Sequence, residues 1–123
     1  MNIDQAFPSR YLKAADLSED GDTILEIDNV KIEEVGRDQE KRPVIYFKDE
    51  ARGVVLNKTN ANTISKLYGK ETTEWQGKLV ALYVAEVQFG GDMVESIRIK
   101  TKTPKGKATG IKQVPLSEDE IVI

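Results

Sequence analysis

The sequence predicts a mainly β domain, a small five-stranded Greek-key barrel with one helix between its third and fourth strands. Three observations carry this expectation. Across residues 54–89 the hydrophobic period passes from strand to helix and back to strand, more clearly than anywhere else in the chain. Strand-like segments lie on both sides of that stretch. The chain has 123 residues, 39% hydrophobic and 32% charged, which suits one domain with a single modest core.

Residues 1–21 read as an irregular lead-in, with Ala14, Ala15, Asp16 and Leu17 fitting one helical turn. Phe7, Tyr11 and Leu12 are the apolar anchors that would hold it to the barrel wall. In the functional alternative, Arg10, Tyr11 and Lys13 line a groove.

Residues 23–35 read as one long first strand. Leu25 and Ile27 share one parity, Val30 and Ile32 the other, and the phase slips at Asp28 and Asn29. Such a slip marks a β-bulge, which lets one strand bend and serve both sides of a small barrel. Residues 36–42 are a charged turn, and Pro43 opens the second strand, residues 44–48. A glycine-containing hairpin loop, residues 49–53, leads to a third strand at residues 54–58.

Thr59 or Asn60 is positioned to cap the helix, since a side-chain oxygen there accepts a free N–H of the first turn. Ala61, Ile64, Leu67 and Tyr68 make its buried stripe, and Gly69 ends it as a left-handed cap. Trp75 follows a short turn and reads as a core plug rather than a stacking platform. The fourth strand, residues 78–89, carries apolar residues on both parities over its first half. Gly90, Gly91 and Asp92 form a tight hairpin turn. Residues 93–103 are the fifth strand, with Ile97 and Ile99 facing one way and Arg98, Lys100 and Lys102 the other.

From Pro104 the composition changes. Residues 104–123 read as a flexible basic linker, with Lys105, Lys107 and Lys112, followed by an acidic and then apolar tip. Residues 1–103 form the folded domain.

Composition narrows the chemistry. There is no cysteine and no histidine, so neither disulfides nor the usual Cys/His zinc sites are available, and the commonest acid–base group is missing. No nucleophile–base pair and no glycine-rich phosphate loop stand out. The reading is therefore a non-enzymatic protein without a cofactor. No apolar run is long enough to span a bilayer, and the N-terminus lacks the pattern of a secretory signal, so a cytoplasmic location is expected. The chain has 18 Lys and Arg against 21 Asp and Glu; three of the acids stand in residues 115–123, so residues 1–114 carry 18 of each sign. A neutral body leaves room for a local basic face.

The order β-β-β-α-β-β with a bulged first strand is that of the OB-fold, whose face at strands 2 and 3 and whose loops 1–2 and 4–5 bind oligonucleotides or oligosaccharides. Another small barrel or a sandwich is the alternative. The segments FPSRYLKAADL, VLNKTNANTI and EWQGK with VQFGG resemble a family of small phage and prophage proteins, mostly without assigned function, over roughly residues 6–100. The C-terminus resembles, in kind, the acidic and hydrophobic tip of bacterial single-stranded-DNA-binding proteins, without their Pro-Phe ending. That resemblance implies that Glu118, Asp119, Glu120, Ile121, Val122 and Ile123 dock on replication or recombination proteins, those of the host cell if the gene is a phage's.

These readings point to binding of single-stranded DNA, which needs cations along the phosphates and rings that stack on bases. Tyr46 is the expected exposed ring and Phe47 its buried neighbour, because a hydroxyl tolerates water. Lys48, Arg52 and Lys58 come from the same hairpin region, Lys41 and Arg42 from the loop between the first two strands. Phe89 stands at the mouth of the loop between the last two, and Arg98 and Lys100 project from the fifth strand. The alternative function is a protein-interaction module using the sheet edge or the tail.

Overall fold

The computed structural model describes residues 11–17 and 21–110. Five strands form one antiparallel sheet: β1 (Thr23–Val35), β2 (Glu40–Phe47), β3 (Val54–Val55), β4 (Leu79–Phe89) and β5 (Asp92–Ile99), in the spatial order β3-β2-β1-β4-β5. One helix, α1 (Lys58–Tyr68), lies between β3 and β4 in sequence. Among the described residues no helix is long and apolar enough to cross a membrane.

β1 is the strand that joins the two halves. Residues 23–26 pair with β4, and from Ile27 onward β1 pairs with β2. Between these, Ile27 faces Phe47 while Asn29 faces Tyr46, so Asp28 is the extra, exposed residue of a bulge. Beyond the bulge Val30 shares the face of Ile27, Ile45 and Phe47. The alternation read from the sequence thus slips where its phase slips.

The core lies on that face. Leu25, Ile27, Ile45, Phe47, Val54, Val80, Leu82, Ile97 and Ile99 are buried there together with Leu56, and Ile64 of α1 packs into them with no exposed surface. Trp75 is buried, and its indole N–H donates to the Gly69 carbonyl at 2.9 Å. The lead-in is tied to the sheet. Leu12 is buried, Tyr11 bridges Gly53 in parallel fashion, and the Leu12 amide donates to the Gly53 carbonyl at 2.8 Å. A 3₁₀ turn, Ala14–Asp16, follows as one helical turn. Phe7 and Arg10 lie outside the described residues.

Several boundaries differ from the expectation. The helix is capped by Asn57 and not by Thr59 or Asn60: Asn57 is extended and its Oδ1 accepts the Asn60 N–H at 2.8 Å. An earlier cap starts the helix at Lys58 and cuts the third strand to two residues. Lys41 and Arg42 stand in β2 opposite Glu34 and Glu33, so the turn is residues 36–39 and the second strand begins before Pro43. β5 ends at Ile99, because Lys100 makes the last ladder bond, to the Ala81 carbonyl, and the chain then leaves the sheet. Gly69 has φ 100° and ψ 173°, a region open essentially to glycine alone, rather than the left-handed helical one.

β3 and β5 are the two ends of the sheet. They face one another across a cleft of about 360 Å³ lined by Val54 and Val55 on one side and Glu95, Ser96 and Ile97 on the other. Asn60, 2% exposed, lies at this cleft and donates its side-chain amide to the Ile97 carbonyl at 2.9 Å.

Candidate nucleic-acid interface

The strongest grouping of cations with an aromatic ring is on the outer face of β4 and β5. Gly90 and Gly91 both take positive φ, 60° and 90°, which closes a two-residue hairpin between Phe89 and Asp92. Register then counts back residue by residue. Leu82 and Val84 pair with Ile99 and Ile97 on the core face, so Tyr83 pairs with Arg98 on the outside. Lys100 follows on the same outer face, its Nζ 4.5 Å from the centre of the Tyr83 ring and 3.7 Å from Asp22 Oδ1. Arg98 is half-buried, and its Nη1 is buried and without a hydrogen-bond partner among the described residues.

The chain continues this basic face after the sheet ends. Residues 98–110 hold Arg98, Lys100, Lys102, Lys105 and Lys107 and no acidic residue. They leave β5 and run back to β1, where the Thr109 amide donates to the Ile24 carbonyl at 2.8 Å and the Ile24 amide donates to Thr109 Oγ1 at 3.1 Å. Bond directions show why there is room. Beyond the bulge this edge of β1 belongs to β2, whose pairing stops at Phe47, with one further bond from the Lys48 amide to the Glu26 carbonyl. Thr109 therefore covers what β2 leaves open. Lys48 lines a hollow of about 460 Å³ shared with Gly106 and Lys107, which brings it to the same region.

The other sequence-derived residues lie elsewhere. Phe47 is in the core and Tyr46 is on the opposite face, half-buried. The Tyr46 hydroxyl donates to Glu33 Oε2 at 2.5 Å, the Tyr11 hydroxyl donates to Glu33 Oε1 at 2.8 Å, and Lys31 Nζ sits 5.3 Å from the Tyr46 ring centre. Arg52 is paired with Asp16 at 3.4 Å and with Glu50 at 3.6 Å, which ties the hairpin loop to the lead-in. Arg42 lies 3.4 Å from Glu40, and Lys41 and Lys58 are exposed. Phe89 ends β4 opposite Asp92. Glu118, Asp119, Glu120, Ile121, Val122 and Ile123 lie outside the described residues. Apart from Lys58 on α1 and Phe89 on β4, the described candidate residues fall into two groups, one on β2 and its loop, the other on β5 and its exit, with β1 and β4 between them.

Tyr83 lies on a strand whose first half is apolar on both parities, so alternation alone does not single it out. Its signal was the Gly90-Gly91 turn, which fixes Arg98 as its neighbour. Among the described residues no three acidic side chains are grouped so as to hold a metal ion.

No family model, no curated protein and no solved structure matches this chain, so the phage and prophage resemblance rests on the quoted segments alone.

Proposed function

We propose that the protein binds single-stranded nucleic acid, DNA foremost, as a non-enzymatic module, with the outer face of β4 and β5 as its contact surface. The observation that carries this is Tyr83 flanked by Arg98 and Lys100 and continued by three further lysines with no acid between them in sequence, Asp22 being the acid that reaches Lys100. A ring supplies a base with a stacking surface, and the cations supply the phosphate contacts. The sheet order supports an OB-type fold for it, since a five-stranded barrel of that kind, opened between its third and fifth strands, has the order found here. Replication or recombination in a phage-derived setting, inside the cell, is the context this reading suggests, with the C-terminal tip as its contact to other proteins.

The test is a titration with labelled single-stranded and double-stranded oligonucleotides at two salt concentrations. Preference for the single strand, with affinity falling steeply as salt rises, is the expected result. Binding that ignores salt would defeat it.

A second reading has its own observation. The cleft between β3 and β5 is walled by two strand edges, which favours a protein-interaction module that accepts an extended peptide. Salt-independent binding to a peptide, with no oligonucleotide binding, would select it.

A further inference from the structure

We propose that residues 104–110 are a strap that lifts from β1 so that a polynucleotide on the basic face can extend onto the strands the strap covers. This rests on the nucleic-acid reading above and adds how the face is enlarged.

The strap is held at one place. Among the described residues its backbone bonds go only to Ile24: the Thr109 and Gly110 amides both donate to the one Ile24 carbonyl, at 2.8 and 3.2 Å. The Ile24 amide in return uses a side-chain hydroxyl, Thr109 Oγ1, where a strand would offer a carbonyl. From Thr101 to Ala108 no backbone bond of this kind is made, and every residue there except Pro104 is exposed. Hollows lie on either side, one of about 300 Å³ between Lys102–Lys105 and Ile24, Ala81 and Lys100, the other of about 460 Å³ between Gly106–Ala108 and Glu26, Leu79 and Lys48. A segment with few bonds, little burial and open hollows along its flanks opens at small free-energy cost.

What it covers and what it carries fit one task. Beneath and beside it lies a floor of Ile24, Leu79 and Ala81, on the same outer face as Tyr83 and Arg98, with Asp22, Glu26 and Asp49 also lining the two hollows and Lys100 paired to Asp22. On it are Lys105 and Lys107. Lifted, the strap exposes the floor to bases; re-closed, its lysines lie along the phosphates. A polynucleotide then sits between sheet and strap.

The absence of cysteine makes the test clean. The Ile24→Cys, Thr109→Cys double variant carries a single candidate disulfide between hydrogen-bonded neighbours, and its own reduced form, which has lost the same Ile24 side chain from the floor, is the reference. An oligo(dT) probe is titrated against the oxidised and the reduced forms. The expected result is that oxidation weakens binding by about tenfold or more and that reductant restores it. Equal affinity of the two forms overturns the strap and leaves the nucleic-acid reading standing. Failure of the reduced form and of the unaltered chain to bind at low salt overturns that reading, and the strap with it. A measurement on the unaltered protein backs the variant: exchange of the Ile24 amide should quicken about fivefold or more when oligo(dT) is added, and an unchanged or slower rate overturns the strap.

Discussion

The side-chain amide of Asn60 donates to the main-chain carbonyl of Ile97, joining the first turn of α1 to the edge of β5. The residue is 2% exposed, and its Oδ1 is buried without a partner among the described residues. A buried amide satisfied on one side only holds position at a cost. Asn60→Ala removes the bond and leaves the Ile97 carbonyl short of a donor. We expect a loss of about 1–3 kcal/mol in a urea or thermal melt. Asn60→Asp should cost more, since a carboxylate would then meet a carbonyl oxygen.

The two aromatic sites should separate on substitution. Tyr83→Ala removes the ring beside Arg98 and Lys100, and a loss of about 1–3 kcal/mol in single-strand affinity is expected by anisotropy titration. Tyr46→Phe removes the hydroxyl held by Glu33 and should lower stability by about 1 kcal/mol while leaving affinity within error. The reverse pattern would move the interface to β2.

Lysines that touch phosphate leave a trace in the salt dependence. Each of Lys102→Ala, Lys105→Ala and Lys107→Ala should reduce the slope of log affinity against log salt by about 0.7, the single-strand value per contact. A lysine whose removal leaves the slope unchanged is not in contact with the ligand.

Gly53 is a place where a methyl group has nowhere to go. A Cβ there would stand 2.7 Å from Val44 Cγ1, 2.8 Å from the Ile45 carbonyl oxygen and 3.0 Å from the Tyr46 ring. One of these is backbone and cannot swing aside. Gly53→Ala should destabilise by about 1–3 kcal/mol and loosen the Tyr11 bridge, readable by melt and by exchange of the Leu12 amide.

Much of the fold was legible because it rests on period and on turn chemistry. The slip between Ile27 and Val30 gave the bulge, Gly90-Gly91 gave the last hairpin, and the split between Phe47 inward and Tyr46 outward follows from alternation. The helix start was misplaced because Asn57, Thr59 and Asn60 are all competent caps within four residues, and only the backbone angles choose between them. The interface was half legible. Arg98 and Lys100 were found by parity, but Tyr83 looked like core because its strand is apolar on both sides. The Asp16 partner of Arg52 was out of reach, since it stands far away in sequence. That the basic segment after Pro104 returns to Ile24 depends on an edge left vacant by a neighbouring strand, and no local pattern records it.

The narrow seam along residues 23–26 has a consequence for how the chain acquires its shape. The β1–β2 and β4–β5 hairpins each unite residues close in sequence, whereas Thr23 and Leu82 are brought together across nearly half of the chain. Loop-closure entropy makes that long-range pairing the late event. The hairpins should be structured at the rate-limiting barrier and the seam should not. Truncations at Val30 and Ile97 would then slow folding, and Leu25→Ala would mainly hasten unfolding, as a chevron series can measure.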